Sequence, residues 1–245
     1  MTATPAWPPA STPRLFVDQR LAKGVTLGLD GPPAHYLGTV MRLGPGDPVR
    51  LFDDRTGEWL AEVRDVTRRG ISLAIMEQLR PREAVPDLWL LFAPIKKGRI
   101  DWLVEKATEL GARRLQPVIT RRTIVDQPNV SRLRAHMIEA AEQCDRTALP
   151  ELAEPVSLDA QLRAWPQGRT LLFADELGGM PLAELAVPGP AAILIGPEGG
   201  FTIEERTAIR ALEWARPVTL GPRILRADTA AVAALAVWMS AAGDW

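Results

Sequence analysis

Two glycine–proline turns hold the residues of this chain best suited to chemistry. The first, Gly196-Pro197-Glu198-Gly199-Gly200, follows the apolar run Ile193-Leu194-Ile195. Its glycines permit positive φ and let a ligand approach the main chain without meeting a Cβ atom, while Pro197 stiffens the turn and Glu198 adds one acid. Thr202 and Glu205 then have the spacing of a capping box, which predicts a helix whose free N–H groups can face a bound molecule. The second turn, Gly221-Pro222-Arg223-Ile224-Leu225-Arg226-Ala227-Asp228-Thr229, follows a short strand, Val218–Leu220, and leads into a helical run from Ala230 to Ala242. Alone, the first turn reads as an ordinary strand-to-helix connection. Together, on neighbouring parallel strands, the two would open outside the carboxyl ends of one sheet, where ligands of α/β proteins bind.

The elements that must position those turns begin at Asp87. Leu88–Ala93 is a continuous apolar strand, and Ile100, Leu103, Val104, Ala107 and Leu110 then recur at helical spacing until Gly111 stops the helix. Leu115–Ile119 reads as a strand, Ser131 to about Cys144 as a helix with Leu133, Met137, Ala141 and Cys144 on one face, and Thr170–Ala174 as another strand. This alternation predicts an α/β sheet of mostly parallel strands. The amino-terminal stretch 14–79 differs. Short strands at Leu15–Val17, Val25–Leu27, Val49–Phe52, Trp59–Val63 and Ile71–Ile75, with one helix over Pro33–Met41, predict a small β-barrel. Residues 80–86 read as a linker and 1–13 as a flexible tail. The final helix is apolar nearly all round, so more than one of its faces should be covered.

Composition narrows the partners. The net charge is only −1, yet residues 1–150 carry 22 basic and 18 acidic side chains against 7 and 12 in 151–245, so the halves are +4 and −5. A basic half fits a phosphate-bearing partner. One cysteine and two histidines exclude an internal disulfide and argue against a zinc cluster, and no metal is expected. The opening lacks the pattern of a signal peptide, and the weakly polar run 229–243 is too short and alanine-rich to span a bilayer. A cytoplasmic protein without membrane contact is expected.

Read together, these motifs resemble the knotted SPOUT RNA methyltransferases, and within them the ribosomal small subunit methyltransferase E family. The likeness rests on the two Gly-Pro turns, on Arg14-Leu15-Phe16, His35-Tyr36-Leu37, Val40-Met41-Arg42 and Gly46-Asp47, and on Lys97-Gly98-Arg99, Glu105 to Gly111 and Glu142-Gln143-Cys144 with Arg146. It covers nearly all the chain after residue 13. Two departures stand out: Asp145 where the family usually has Gly, and Ala227-Asp228 where it usually has Thr-Glu. The resemblance implies a PUA-like barrel over 14–79, a SPOUT domain over 87–245 with a carboxy-terminal trefoil knot, and a homodimer. The implied activity is S-adenosylmethionine-dependent methylation of uridine N3 in 16S rRNA of the small ribosomal subunit. The alternatives are a SPOUT enzyme acting on ribose 2′-O or another base, and a non-catalytic RNA-binding assembly factor.

Under that resemblance Leu172, Ile195, Gly196, Glu198, Gly199, Gly200, Leu220, Gly221, Ile224 and Leu225 are the expected cofactor-binding set, although without the paired Gly-Pro turns Ile224 and Leu225 would read as plain core packing. Methyl transfer from a sulfonium depends mainly on positioning. Uridine N3, by contrast, must lose a proton. Arg226 is the candidate for stabilising charge on the uracil carbonyls or for holding a flanking phosphate, with an ion pair to Asp228 as its structural reading. Glu198 and Asp228 are possible bases, and no general base is assigned. Arg14, Arg42, Lys96, Lys97, Arg99, Arg121, Arg122 and Arg146 are the expected RNA contacts, through phosphate.

Overall fold

The computed structural model describes residues 12–125, 127–185, 187 and 189–245, and the chain divides into two compact units. The first comprises residues up to Ala84 together with Ala141–Ala148; the second comprises Val85–Ala140 and Leu149–Trp245. The eight-residue segment 141–148 was expected in the second domain. Most of the expected tail lies outside the described residues. Thr12 and Pro13, however, are buried, and the Pro13 carbonyl accepts from Arg50 N at 2.8 Å, so these two residues of the expected tail pack on the first unit.

The first unit is a five-stranded mixed sheet in the order β1-β3-β4-β5-β2, from β1 (Arg14–Phe16), β2 (Thr26–Leu29), β3 (Pro48–Phe52), β4 (Glu58–Val66) and β5 (Ile71–Arg80). β1 runs parallel to β3 and the other pairs are antiparallel. Among the described residues, β1 and β2 are the outer strands of this hydrogen-bonded order. Alternate residues of each strand, among them Val49, Leu51, Ala61, Val63, Leu73 and Ile75, turn one face into the core. The expected helix over Pro33–Met41 is α1 (Gly31–His35), started by prolines that need no N–H partner, followed by a π-helical turn over Tyr36–Val40. The wide turn buries Leu37 and leaves Tyr36, Val40 and Met41 exposed.

Beyond β3, the buried Asp53 carboxylate ties the loops together. It accepts from the N–H groups of Leu21, Arg55 and Thr56 and from the Thr56 hydroxyl, at 2.7–2.9 Å. Burial raises its pKa, but these four donors outweigh burial and hold it below the ordinary carboxylate value.

The second unit is an all-parallel sheet in the order β11-β13-β10-β12-β6-β7-β8, with β9 paired to β7. Its strands are β6 (Leu88–Phe92), β7 (Arg114–Ile119), β8 (Glu151–Leu152), β9 (Val156–Ser157), β10 (Thr170–Ala174), β11 (Met180–Pro181), β12 (Ala191–Ile195) and β13 (Ala215–Thr219). Its helices are α2 (Arg99–Glu109), α3 (Val130–Gln143, whose last three residues group with the first unit), α4 (Leu158–Arg163), α5 (Ile203–Arg210) and α6 (Ala227–Ala242). Cys144 lies past the end of α3 and is exposed. The central strands are buried on both faces, which explains their unbroken apolar runs. α6 packs against α2, β12 and β6, burying Ala231, Ala234, Leu235, Trp238 and Met239. It starts at Ala227, three residues earlier than expected.

One expectation fails in a way that matters. The two Gly-Pro turns do not end neighbouring strands: β10 lies between β12 and β13. Strand adjacency is decided by the path of the chain, and nothing in the two turn sequences reports it. No helix among the described residues is long and apolar enough to cross a membrane, and none of their His, Cys, Asp and Glu side chains form a group able to hold a metal.

Candidate active site

A cleft of about 350 Å3 opens at the carboxyl ends of β10, β12 and β13 and at the first turn of α6. Its apolar wall includes Ile195, Val218, Leu220, Leu225, Ala227 and Ala230, and Glu176, Glu198, Arg206, Arg223 and Arg226 supply its charge. Both Gly-Pro turns therefore line one site, with the end of β10 as a third contributor.

The glycines of the first turn have different duties. A Cβ on Gly196 would stand 2.7 Å from the Phe201 ring, which packs edge-on to Phe173 with centroids 5.0 Å apart; Gly196 is there for packing. Gly200 has φ +66°, and its Cβ would come within 3.0 Å of Glu176 Oε1. Gly199 faces away from the cleft lining and lies against Arg122. Gly221, with φ +114° and no atom within 4 Å of its Cβ position, is the glycine that leaves open space beside the cleft. Thr202 and Glu205 form the expected capping box at 3.2 and 2.9 Å, which starts α5 directly after the turn.

Of the expected cofactor set, Ile195, Gly196, Glu198, Gly200, Leu220, Gly221, Ile224 and Leu225 line the cleft. Leu172 sits in the core beneath it, fully buried in β10, and Gly199 lies outside the lining. Ile224 is 88% exposed, which removes its core-packing alternative. Arg226 is exposed at the N-cap of α6 and lines the cleft. Its expected partner Asp228 instead stands 3.9 Å from Arg99 and accepts from Thr229 N at 2.9 Å.

Lys96, Lys97, Arg121 and Arg122 are exposed on loops at the carboxyl edge of the second unit, and Arg99 is half-exposed. Arg42 is exposed in the first unit, at φ +57°. Two expected RNA contacts are corrected. Arg14 is buried, stacks on Phe52 at 4.0 Å, and donates to Glu58 Oε1 (2.5 Å), Ala141 O (2.6 Å) and Arg146 O (2.7 Å). Arg146 is buried as well, with Glu83 at 3.7 Å. Burial lowers the pKa of both guanidiniums, and Glu58 and Glu83 respectively oppose that. Both hold the first unit together and are closed to phosphate.

Sequence reasoning missed Asp175, Glu176 and Arg206. The Asp175 carboxylate is wholly buried and bracketed by Arg206 (3.0 Å) and Arg210 (2.7 Å), and Arg206 also holds Glu176 at 2.6 Å. The signal was the Asp-Glu pair directly after the strand 170–174, a position equivalent to the start of each turn.

A family model described as an RNA methyltransferase domain matches residues 81–239, and one described as an RNA methyltransferase PUA domain matches 29–76. The ribosomal RNA small subunit methyltransferase E of Rickettsia conorii is 31% identical over 91% of this chain and 93% of its own length. The chain belongs to the ribosomal RNA small subunit methyltransferase E family. Two solved structures agree. A Legionella pneumophila methyltransferase, described in complex with the bound cofactor SAM, is 29% identical with a TM-score of 0.87, covering 96% of this chain and 99% of its own. The ribosomal RNA small subunit methyltransferase E of Neisseria gonorrhoeae, described as bound to S-adenosyl methionine, is 28% identical with the same TM-score and coverage. Within this family frame the departure at Asp145 has a physical reading. Asp145 has φ +60°, a left-handed conformation that suits Gly and that Asp tolerates better than most residues, and its carboxylate stands 3.2 Å from Arg50 and 3.5 Å from Arg14. Ala227 is buried under the cleft, and Asp228 is turned towards Arg99.

Proposed function

We propose that this chain transfers a methyl group from S-adenosylmethionine to N3 of a uridine in 16S rRNA of the small ribosomal subunit. The observation that carries the reading is the cleft shared by three strand ends and α6, with open space at Gly221 and the exposed Arg226 beside it. The residues fit the cofactor. Ile195, Leu220 and Leu225 suit an adenine ring, and the carboxylates of Glu176 and Glu198 suit hydroxyl or ammonium donors. When bound, the cofactor supplies an electrophilic methyl group on a sulfonium.

The chain's part is to orient the acceptor and handle its charge. Arg226, exposed on the cleft lining, stabilises negative charge developing on the uracil carbonyls as N3 loses its proton. Of the two carboxylates considered as bases, Glu198 lines the cleft and Asp228 is engaged at Arg99, so Glu198 is the one with access to the acceptor. N3 lies on the pairing edge of the base, so the uridine must be unpaired or flipped out. Lys96, Lys97, Arg121 and Arg122 then meet phosphates around the cleft, while Arg42, beside exposed Tyr36, Val40 and Met41, gives the PUA unit its contact.

The strand order and the return of α6 across β12 and β6 support a knotted path. A homodimer is supported by Val232, Ala233, Ala236 and Val237, an apolar stripe of α6 that stays half-exposed. The reading puts the protein in the cytoplasm with its RNA. The test is methyl transfer from radiolabelled S-adenosylmethionine to small subunits lacking the modification, followed by reverse transcription. A stop at one uridine is expected. Label without a stop would move the reaction to a site that leaves pairing intact, and no label on subunits or naked RNA would overturn the enzymatic reading.

A further inference from the structure

We propose that Arg122 is a positioning residue for the Gly196–Gly200 turn, bracing it from outside the cleft and tying it to the loop after β7. The proposal rests on the reading that this cleft holds S-adenosylmethionine. The brace is visible in two contacts. Arg122 Nη1 donates to the Gly199 carbonyl at 2.6 Å, and its Cβ and Cδ lie 3.7 and 3.6 Å from where a Cβ on Gly199 would stand. The stem of the side chain thus runs along Gly199 while its head holds the carbonyl. Gly199 is outside the cleft lining, whereas Pro197, Glu198 and Gly200 are part of it.

The loop that carries Arg122 is itself fixed. The buried Glu205 carboxylate accepts from Arg121 N at 2.8 Å and from Thr202 N at 2.9 Å, joining the residue before Arg122 to the N-cap of α5. Thr123 Oγ1 accepts from Thr120 N at 2.9 Å, and Thr123 N donates to Thr120 O at 3.2 Å, which closes the turn on its other side. Arg122 therefore reaches Gly199 from a turn held at both ends, and little further ordering is needed to make a charge-assisted bond to the carbonyl. The bond uses one donor of an exposed guanidinium that has five. The remaining N–H groups are open to a phosphate, so RNA bound at this loop and a ligand in the cleft would share one element, and any coupling between them is reciprocal.

The experiment measures S-adenosylmethionine affinity by calorimetry without RNA, and hydrogen exchange over 196–200 in cofactor-free protein, for wild type, Arg122→Ala, Arg122→Lys and Gly199→Ala. Arg122→Ala is expected to weaken binding by roughly three- to tenfold, in line with loss of one solvent-exposed hydrogen bond of ordinary net strength, and to speed exchange at the turn. Arg122→Lys should recover part of both effects. Gly199→Ala should match wild type, because its Cβ meets Arg122 at ordinary contact distance. Unchanged affinity and exchange in Arg122→Ala, with only RNA affinity lost, would overturn the proposal and leave Arg122 a phosphate contact. Failure of the wild type to bind S-adenosylmethionine would sink the cofactor reading instead, with exchange still reporting whether the brace exists.

Discussion

Arg14 shows how far a residue type can mislead. An arginine at the head of a basic domain reads as a phosphate contact, yet its guanidinium is consumed by Glu58 and by carbonyls of Ala141 and Arg146. Arg14→Ala should lower stability by about 3 kcal/mol, because Glu58 and two carbonyls lose a buried donor. The melting temperature should fall while the RNA affinity of the folded protein stays the same. Arg226→Ala is expected to cut methyl transfer at least tenfold, about 1.4 kcal/mol of transition-state stabilisation, with cofactor affinity within twofold. Equal loss of both would make Arg226 a cofactor or structural residue. Asp53 gives a pH prediction. Its folded pKa lies below its ordinary 3.8, so its contribution is fully present above that value and is lost as pH falls through the folded pKa. Asp53→Asn should therefore cost about 1–3 kcal/mol at neutral pH and flatten the acid limb of a stability-versus-pH curve.

At the scale of elements, the capping box at Thr202 and Glu205 was legible because it is local: four consecutive residues satisfy one another's backbone groups whatever the rest of the chain does. Its reach was not legible, since the Arg121 N–H that Glu205 also accepts comes from 84 residues away. Glu205→Ala should thus exceed the usual cost of a lost cap and reach about 2 kcal/mol. Gly200→Ala tests the turn itself. Positive φ and the Glu176 carboxylate at 3.0 Å both oppose a side chain there, so cofactor affinity should drop well beyond any effect of Gly199→Ala. Equal affinities would show that the turn is more pliant than its geometry indicates. The π-helical turn at Tyr36–Val40 was read as plain helix because its apolar residues fit either winding.

For the whole molecule, affinity for RNA should fall steeply as salt rises, with a logarithmic slope of roughly −0.9 per phosphate neutralised on duplex or about −0.7 on single strands. Removing Lys96 and Lys97 together should reduce that slope by between one and two, and an unchanged slope would take this loop out of the interface. The apolar stripe of α6 predicts a mass in solution twice that of the chain, and Val237→Asp should shift it towards the monomer. A monomeric wild type at micromolar concentration would leave the stripe unexplained.

The sequence by itself determined the two units, the parallel sheet and both Gly-Pro turns, because periodicity, caps and turn residues act over a few positions and are written where they act. It also carried enough separated motifs to identify the family. Tertiary structure alone decided that β10 lies between the two turn-bearing strands, and so brought Asp175, Glu176 and Arg206 to the cleft. It likewise decided that segment 141–148 groups with the first unit, and which arginines are buried and which exposed. Those outcomes depend on which strands become neighbours and on which charges are desolvated. Both are set by contacts between residues far apart in the chain, and no local pattern encodes them.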